Sequence, residues 1–159
     1  MAAGMKKFII IGNGNAASCK EIFPLIKNNQ LWLGNNKITD FNTGAGEIKG
    51  VYATWYSTFP VTRKPLILTA TYSPDKYPVY DNYIAINVDK VCDIPMDYDG
   101  VMGVPISFLD KYCPEQFEIL GLMSGARGEG LINGNDGRVK FYVNGKGVYA
   151  RILIRKRNA

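Results

Sequence analysis

Three groups of residues in this chain have types and spacings with chemical meaning. Gly12-Asn13-Gly14-Asn15-Ala16-Ala17 satisfies the pattern G-x-G-x-x-A. Between a strand and a helix, such a loop lets a phosphate approach bare backbone at a helix N-terminus. The same residues also make a plain strand-to-helix turn. A dinucleotide site places an acidic residue at the end of the next strand, and here Asp40 lies seven residues past Leu33. The second group is Asp93, Asp97, Asp99 and Asp110. Their spacing matches neither a calcium loop nor a paired-carboxylate site, and Asp97-Tyr98-Asp99-Gly100 reads as a turn with side-chain oxygens on backbone amides. The third group is basic. Between Gly137 and Ala159 stand Arg138, Lys140, Lys146, Arg151, Arg155, Lys156 and Arg157, with no acidic residue among them. The net charge of +5 belongs to this segment, because the preceding residues carry 12 basic and 14 acidic groups. A polyanion is the partner such a segment suits, and a solvated tail is the alternative.

The residues that are missing limit the chemistry further. The chain contains no histidine, which removes Ser-His-Asp and Cys-His nucleophile activation from within it. Cys19, Cys92 and Cys113 form no C-x-x-C pair, which argues against a zinc site and against a disulfide framework. The expectation is no catalytic, cofactor-binding or metal-ligating residue here. No apolar run approaches a membrane span, and Met1 to Gly4 is too short for a signal peptide, so the expected setting is cytoplasmic with no membrane partner.

The elements that must position these groups read as α/β. At 159 residues the chain is expected to be one domain. Lys6 to Ile11 reads as a buried strand, and Ser18 and Glu21 have the spacing of a capping box that opens a helix. Ile22, Leu25 and Ile26 share a helical face that ends near Asn28-Asn29. Pro24 either kinks this helix or marks its true first turn. Leu31 to Leu33 follows as a strand, so residues 1–35 form a β-α-β unit. Gly34 to Gly50, rich in Asn, Gly and Thr, reads as a long loop. Val51 to Thr58, Leu66 to Tyr72, Ile84 to Val88 and Phe117 to Leu122 read as strands within a β-rich part, 51–159. Ser107 to Tyr112 reads as one or two helical turns, and Asp97 to Pro105 as turn-rich. At the end, Arg138 to Val143 and Val148 to Arg155 flank Asn144-Gly145-Lys146-Gly147 as a hairpin. Strict alternation would put Lys140, Tyr142, Tyr149, Arg151 and Arg155 on one exposed face. With Arg138, Lys156 and Arg157 beside it, this face is the candidate for DNA contact. Arg63-Lys64, between two strand-like runs, is a second basic spot.

The stretch Asp93 to Leu122, DIPMDYDGVMGVPISFLDKYCPEQFEILGL, resembles the C-terminal part of the EcoRI-type adenine-specific DNA methyltransferases. So do the opening KKFIIIGNGNAASCKEIFPLIKNNQLWLG, the strings Trp55-Tyr56, Arg63-Lys64-Pro65-Leu66 and Tyr80-Asp81-Asn82-Tyr83, and the basic end from Tyr149 through Arg157. The resemblance implies a partial methyltransferase-type, Rossmann-like sheet, of which 1–35 is a β-α-β remnant, with a β-rich extension ending in the hairpin. It implies methyl transfer from S-adenosylmethionine to adenine in DNA by the intact enzyme. The family's Asn-Pro-Pro-Phe segment has no counterpart, since no two of the eight prolines are adjacent. The expectation is therefore a chain that begins part-way through the family's domain. It contributes fold and DNA contacts, binds no S-adenosylmethionine by itself, and pairs with a separate N-terminal half. A stand-alone DNA-binding or structural module is the alternative. The strand Phe8 to Ile11 is further expected to expose apolar surface at a sheet edge and to promote self-association.

Overall fold

The computed structural model describes residues 4, 6–42, 44, 46–123 and 140–158, with side chains at all of them except 41 and 47–51. The architecture is mixed α/β, mostly strands with little helix, and it divides into two compact units, Met1–Thr62 and Arg63–Ala159.

In the first unit, three consecutive isoleucines open strand β1 (Ile9–Asn13). A 3₁₀ turn (Gly14–Ser18), helix α1 (Phe23–Lys27), β2 (Trp32–Asn42) and β3 (Glu47–Ser57) follow. The sheet order is β1-β3-β2 with both ladders antiparallel, so β1 and β2 run parallel with β3 reversed between them. Of the two readings of Pro24, the structure takes the second: the proline stands in the first turn of α1, where its missing amide leaves no orphan donor. The capping box does not form. Ser18 Oγ donates to the Asn15 carbonyl at 2.9 Å and closes the 3₁₀ turn instead. Asn29, at φ 56°, ends the helix in the left-handed region.

The expected loop from Gly34 to Gly50 is a long hairpin of β2 and β3. Cross-strand pairing of Lys37, Ile38 and Asp40 to Asn42 with β3 overrides the polar composition that suggested a loop, and Asn42 Oδ1 accepts from Gly44 N at 3.0 Å. Two register shifts interrupt β2, between Leu33 and Lys37 and between Ile38 and Asp40. Phe23, Ile26, Leu31, Leu33, Ala53 and Tyr56 form the buried interior.

The second unit is built on a four-stranded sheet in the order β4-β5-β9-β6, comprising β4 (Ile86–Asn87), β5 (Met102–Pro105), β6 (Phe117–Met123) and β9 (Arg151–Lys156). β5, expected as turn, is a fully paired strand, and a 3₁₀ helix (Ile106–Lys111) fills the expected helical turns. Leu66 to Tyr72 stays extended outside any sheet. Gln116 substitutes for a neighbouring strand there: its amide accepts from Leu66 N at 2.7 Å and donates to Leu66 O at 2.8 Å.

The C-terminal hairpin is shorter than expected. β7 (Tyr142–Val143) and β8 (Lys146–Gly147) pair across Asn144 and Gly145, whose φ values of 50° and 75° define a two-residue type I′ turn. Arg138 and Val139 lie outside the described residues. The return strand does not continue the hairpin. β9 leaves it and inserts between β5 and β6, antiparallel to both. Ile152 and Ile154 lie in register with Val104 and Met102 on one face. On the other face Leu153 joins Tyr80, Ala85, Met123 and Phe141 in a core cluster.

Candidate nucleic-acid interface

The hairpin that presents the basic segment is held by the string Tyr80-Asp81-Asn82-Tyr83. Asp81 carboxylate oxygens accept from the amides of Asn144 and Gly145 at 3.1 and 2.7 Å, and Asp81 N donates to Tyr142 O at 2.8 Å. Asn82 accepts from Tyr142 N at 3.2 Å and donates to Lys140 O at 2.8 Å. Tyr80 stacks on Phe141 with ring centroids 4.0 Å apart. The turn needs positive φ at two successive residues, and the carboxylate neutralises the two amides this conformation turns outward. This string, one of the most specific in the sequence, is therefore a clamp for the hairpin.

The clamp leaves Lys140 and Lys146 exposed, along with Tyr142, and Tyr149 beyond the hairpin is 91% exposed. Lys146 is absent from the sequence-derived candidates because the tetrad 144–147 reads as turn. Its pairing with Val143 in β8 fixes it at the turn, on the face of the hairpin opposite to Tyr142 and Lys140.

Arg151 departs most from expectation. It is buried, not on an exposed basic face. Its Nε donates to Asn87 Oδ1 at 3.2 Å, its Nη2 reaches Asp89 Oδ1 at 3.3 Å, and its Nη1 contacts the carbonyls of Tyr149 and Ala150. The same Asn87 oxygen accepts from Tyr80 OH at 2.8 Å, and burial pushes the Tyr80 phenol pKa up. The physical reason is the position of β9. A central strand is covered on both faces, so a residue that alternation assigns to solvent meets a second layer.

Arg155, Lys156 and Arg157 line a shallow polar depression with Asp99, Glu118 and Asn158. Arg155 lies opposite Glu118 in the β6–β9 register, and its Nη2 contacts Glu118 Oε2 at 2.9 Å. Lys156 Nζ contacts Asp99 Oδ1 at 3.2 Å and the Met96 carbonyl, and its side chain is 14% exposed. Arg157 Nε donates to Pro114 O at 2.7 Å and keeps the rest of its guanidinium at the surface. Three cations share two carboxylates here, so the field is much weaker than the charge count of the segment.

Arg63 is also engaged. Its guanidinium donates to the carbonyls of Leu109 and Tyr112 at 2.7 and 3.3 Å, at the C-terminal end of the 3₁₀ helix, where orphan carbonyls favour a cation. Burial lowers its pKa, and the neighbouring Asp110 carboxylate partly restores it. Lys64 is exposed. Of the candidates, Lys64, Lys140 and Arg157 face solvent, Arg155 does so with a carboxylate beside it, Arg63, Arg151 and Lys156 serve the fold, and Arg138 lies outside the described residues.

The Gly12–Ala17 turn does not fit a nucleotide cofactor. A β-carbon on Gly14 would stand 2.1 Å from Tyr52 Cε1, so the tyrosine ring already occupies the space next to the bare backbone. Asn13 Oδ1 accepts from Asn15 N at 2.9 Å, Tyr56 OH donates to Asn13 O at 2.8 Å, and a 3₁₀ turn follows where a cofactor site would have a long helix. The glycine permits close packing of Tyr52. The aspartates are likewise used singly: Asp97 accepts from Tyr72 N at 2.7 Å, Asp93 lies 3.6 Å from Lys76 Nζ, and Asp99 binds Lys156. Among the described residues no group of three metal-ligating side chains comes together, and no helix is long and apolar enough to cross a membrane.

Comparison with known proteins gives one consistent result. The family profile for the adenine-specific methyltransferase EcoRI matches residues 1–45 and 37–157. The type II methyltransferase M.EcoRI of Escherichia coli is 39% identical over 96% of this chain, which covers 51% of that protein. M.MgeORF184P of Mycoplasma genitalium is 31% identical over 95% of the chain, and M.MpnI of Mycoplasma pneumoniae 28% over 96%; the chain covers 57% of each. It thus spans about half the length of the curated relatives it matches. No solved structure matches it significantly.

Proposed function

The chain belongs to the family of the adenine-specific methyltransferase EcoRI, and from that premise we propose that it supplies the C-terminal portion of a site-specific DNA adenine methyltransferase. Its part is framework and DNA backbone contact. The observation that supports this best is the hairpin, with exposed Lys140 and Lys146, the freely exposed ring of Tyr149, and a sequence without carboxylates from Gly137 onward. Ammonium groups on such a surface neutralise phosphates, and an exposed tyrosine ring stacks on a base or packs on a sugar.

In this reading both units belong to one domain, and β1, β3 and β2 are the end of a methyltransferase-type, Rossmann-like sheet. The parallel run of β1 and β2 supports that assignment. S-adenosylmethionine supplies the methyl group in the family; in this reading its site lies outside this stretch, which the packing of Tyr52 against the Gly12–Ala17 turn supports. No step of the transfer runs through residues of this chain, and the chain alone transfers no methyl group.

The test is fluorescence anisotropy of a labelled duplex across a salt series. The logarithm of affinity should fall against the logarithm of salt with a slope of about −0.9 per phosphate contacted. Lys140→Ala, Lys146→Ala and Arg157→Ala should each flatten that slope by about 0.9. Binding that ignores salt, or that all three substitutions leave untouched, refutes the assignment. Methyl transfer by the purified chain from labelled S-adenosylmethionine would show that the catalytic residues lie within it.

A further inference from the structure

The outer face of the hairpin carries a glycine that its backbone does not require. Of the two glycines in Asn144-Gly145-Lys146-Gly147, Gly145 takes the left-handed conformation of the turn at φ 75°, and Gly147 lies outside that region, where any residue fits. Gly147 stands in β8 directly across from Tyr142. A strand glycine has no side chain to pack on the pleat, and it marks a place where another group approaches the backbone closely. Here that group is Lys140. A β-carbon on Gly147 would meet Lys140 Cε, with Nζ at 2.6 Å and Cδ at 3.0 Å. The lysine chain therefore crosses the ribbon and seats its ammonium over bare backbone.

The ladder explains the crossing. Val148 N donates to Phe141 O at 2.9 Å, so pairing continues one step past β7 and β8. Alternation puts Phe141, Val143 and Val148 on the inner face, against the core cluster, and Lys140, Tyr142 and Gly147 on the outer face. Lys140 and Gly147 are diagonal neighbours there, about 7–8 Å apart, a span that a lysine stem covers. Asn82 holds the backbone beneath, donating to Lys140 O and accepting from Tyr142 N. The side chain of Lys140 stays exposed, so an anion can reach it. Because the atoms over Gly147 are the far end of a flexible chain, the fold does not depend on this glycine. The position of the cation does.

We propose that Gly147 is a positioning residue for DNA contact: it holds the Lys140 ammonium low on the outer face beside Tyr142, so that a phosphate of the DNA backbone docks on Nζ while the sugar of the same nucleotide lies against the tyrosine ring. This rests on the DNA-contact reading above. A lysine free in solvent loses rotamer freedom when it orders on a phosphate, and one already seated loses less.

The experiment measures binding of a labelled duplex by anisotropy across a salt series. It compares the unaltered chain with Gly147→Ala, Gly147→Val, Lys140→Ala and the double substitution Gly147→Val/Lys140→Ala. Both glycine variants should fold with stability equal to or above the original in urea, because a strand gains from a side chain. Their affinity for DNA should nevertheless fall, by about fivefold for Gly147→Val. In the Lys140→Ala background Gly147→Val should cost nothing further, since both changes remove one contact. A nuclear Overhauser contact between the Lys140 ε-methylene and the Gly147 α-protons of the unaltered chain reads the seating without any substitution, and it is expected to be present. If Gly147→Val does not fold, Gly147→Ala and this contact decide. The inference is overturned if the contact is missing, if folded glycine variants bind as tightly as the original, or if Gly147→Val costs as much without Lys140 as with it. Salt-dependent binding that Lys140→Ala weakens and the glycine variants do not fails the positioning and spares the DNA-contact reading. No DNA binding by the unaltered chain fails both.

Discussion

Replacing Arg151 by alanine separates a structural cation from a DNA-contacting one. In the free chain its guanidinium donates to the buried Asn87 side chain and to two carbonyls, and its ion-pair partner Asp89 has a side chain 75% exposed. The partner's exposure sets the magnitude. Removing one member of a fully buried pair strands a charge in low dielectric, at about 3–5 kcal/mol. Asp89 instead returns to water, so that penalty does not apply. The losses that remain are the hydrogen bonds from a charged donor and the packing of the aliphatic stem against a central strand, together about 2–3 kcal/mol. Asn87 Oδ1 keeps its bond from Tyr80 OH, which prevents a larger figure. Urea unfolding followed by circular dichroism measures the loss as a shift in midpoint at constant slope. DNA anisotropy on the folded variant should give the salt slope of the unaltered chain, whereas Lys140→Ala flattens it by about 0.9. Stability unchanged within about 0.5 kcal/mol, a value typical of neutral surface sites, would refute the buried assignment. So would a folded Arg151→Ala protein whose salt slope falls by a full contact.

Asp81→Ala removes the acceptor for two hairpin amides and should cost about 1–2 kcal/mol, with faster hydrogen exchange at Asn144 and Gly145 as the local signature. Gly14→Ala should destabilise by about 1 kcal/mol through collision with Tyr52, and Tyr52→Ala in the same chain should relieve most of it, as read by a double-mutant cycle. Burial pushes the Tyr56 phenol up to about 12 from an ordinary 10. A raised folded pKa means that the contribution to stability is complete below pH 10 and is lost as pH rises through 12, so thermal unfolding of the first unit should fall across that window. Ultraviolet difference spectra of phenolate formation check it, and Tyr56→Phe should remove that part of the dependence.

Single elements were legible where local rules decide them. The isoleucine run made β1, the asparagine-glycine pair made the type I′ turn, and Pro24 fell in a first turn as its chemistry allows. The sheet positions were not legible. The charge pattern of the final strand suggested a half-exposed ribbon, and the structure makes it the middle of a sheet. Leu153 was the available sign, an apolar residue at the parity of Arg151 and Arg155, and it is completely buried. The hairpin of β2 and β3 was hidden because asparagine and glycine signal loops unless long-range pairing overrides them. Of the DNA-contact candidates, Lys64, Lys140 and Arg157 are exposed, as a reading of charge alone expects of basic residues. The engagement of Arg63, Arg151 and Lys156 was not legible, because their partners are distant in sequence and only the fold brings them close.

The position of β9 also sets a timetable. β5 and β6 do not pair with each other; each pairs with β9, which follows both in the chain and is the last of the described strands. During synthesis the two strands therefore emerge with no template between them. The sheet can close only when almost every residue of the second unit has left the ribosome. The first unit, whose strands end at Ser57, has no such wait. A stop before Arg151 would leave Met102 and Ile119 without Ile154, and Val104 and Leu122 without Ile152. Nascent chains stalled at that point should be the protease-sensitive species. Their first unit should resist digestion while everything after Thr62 is cut.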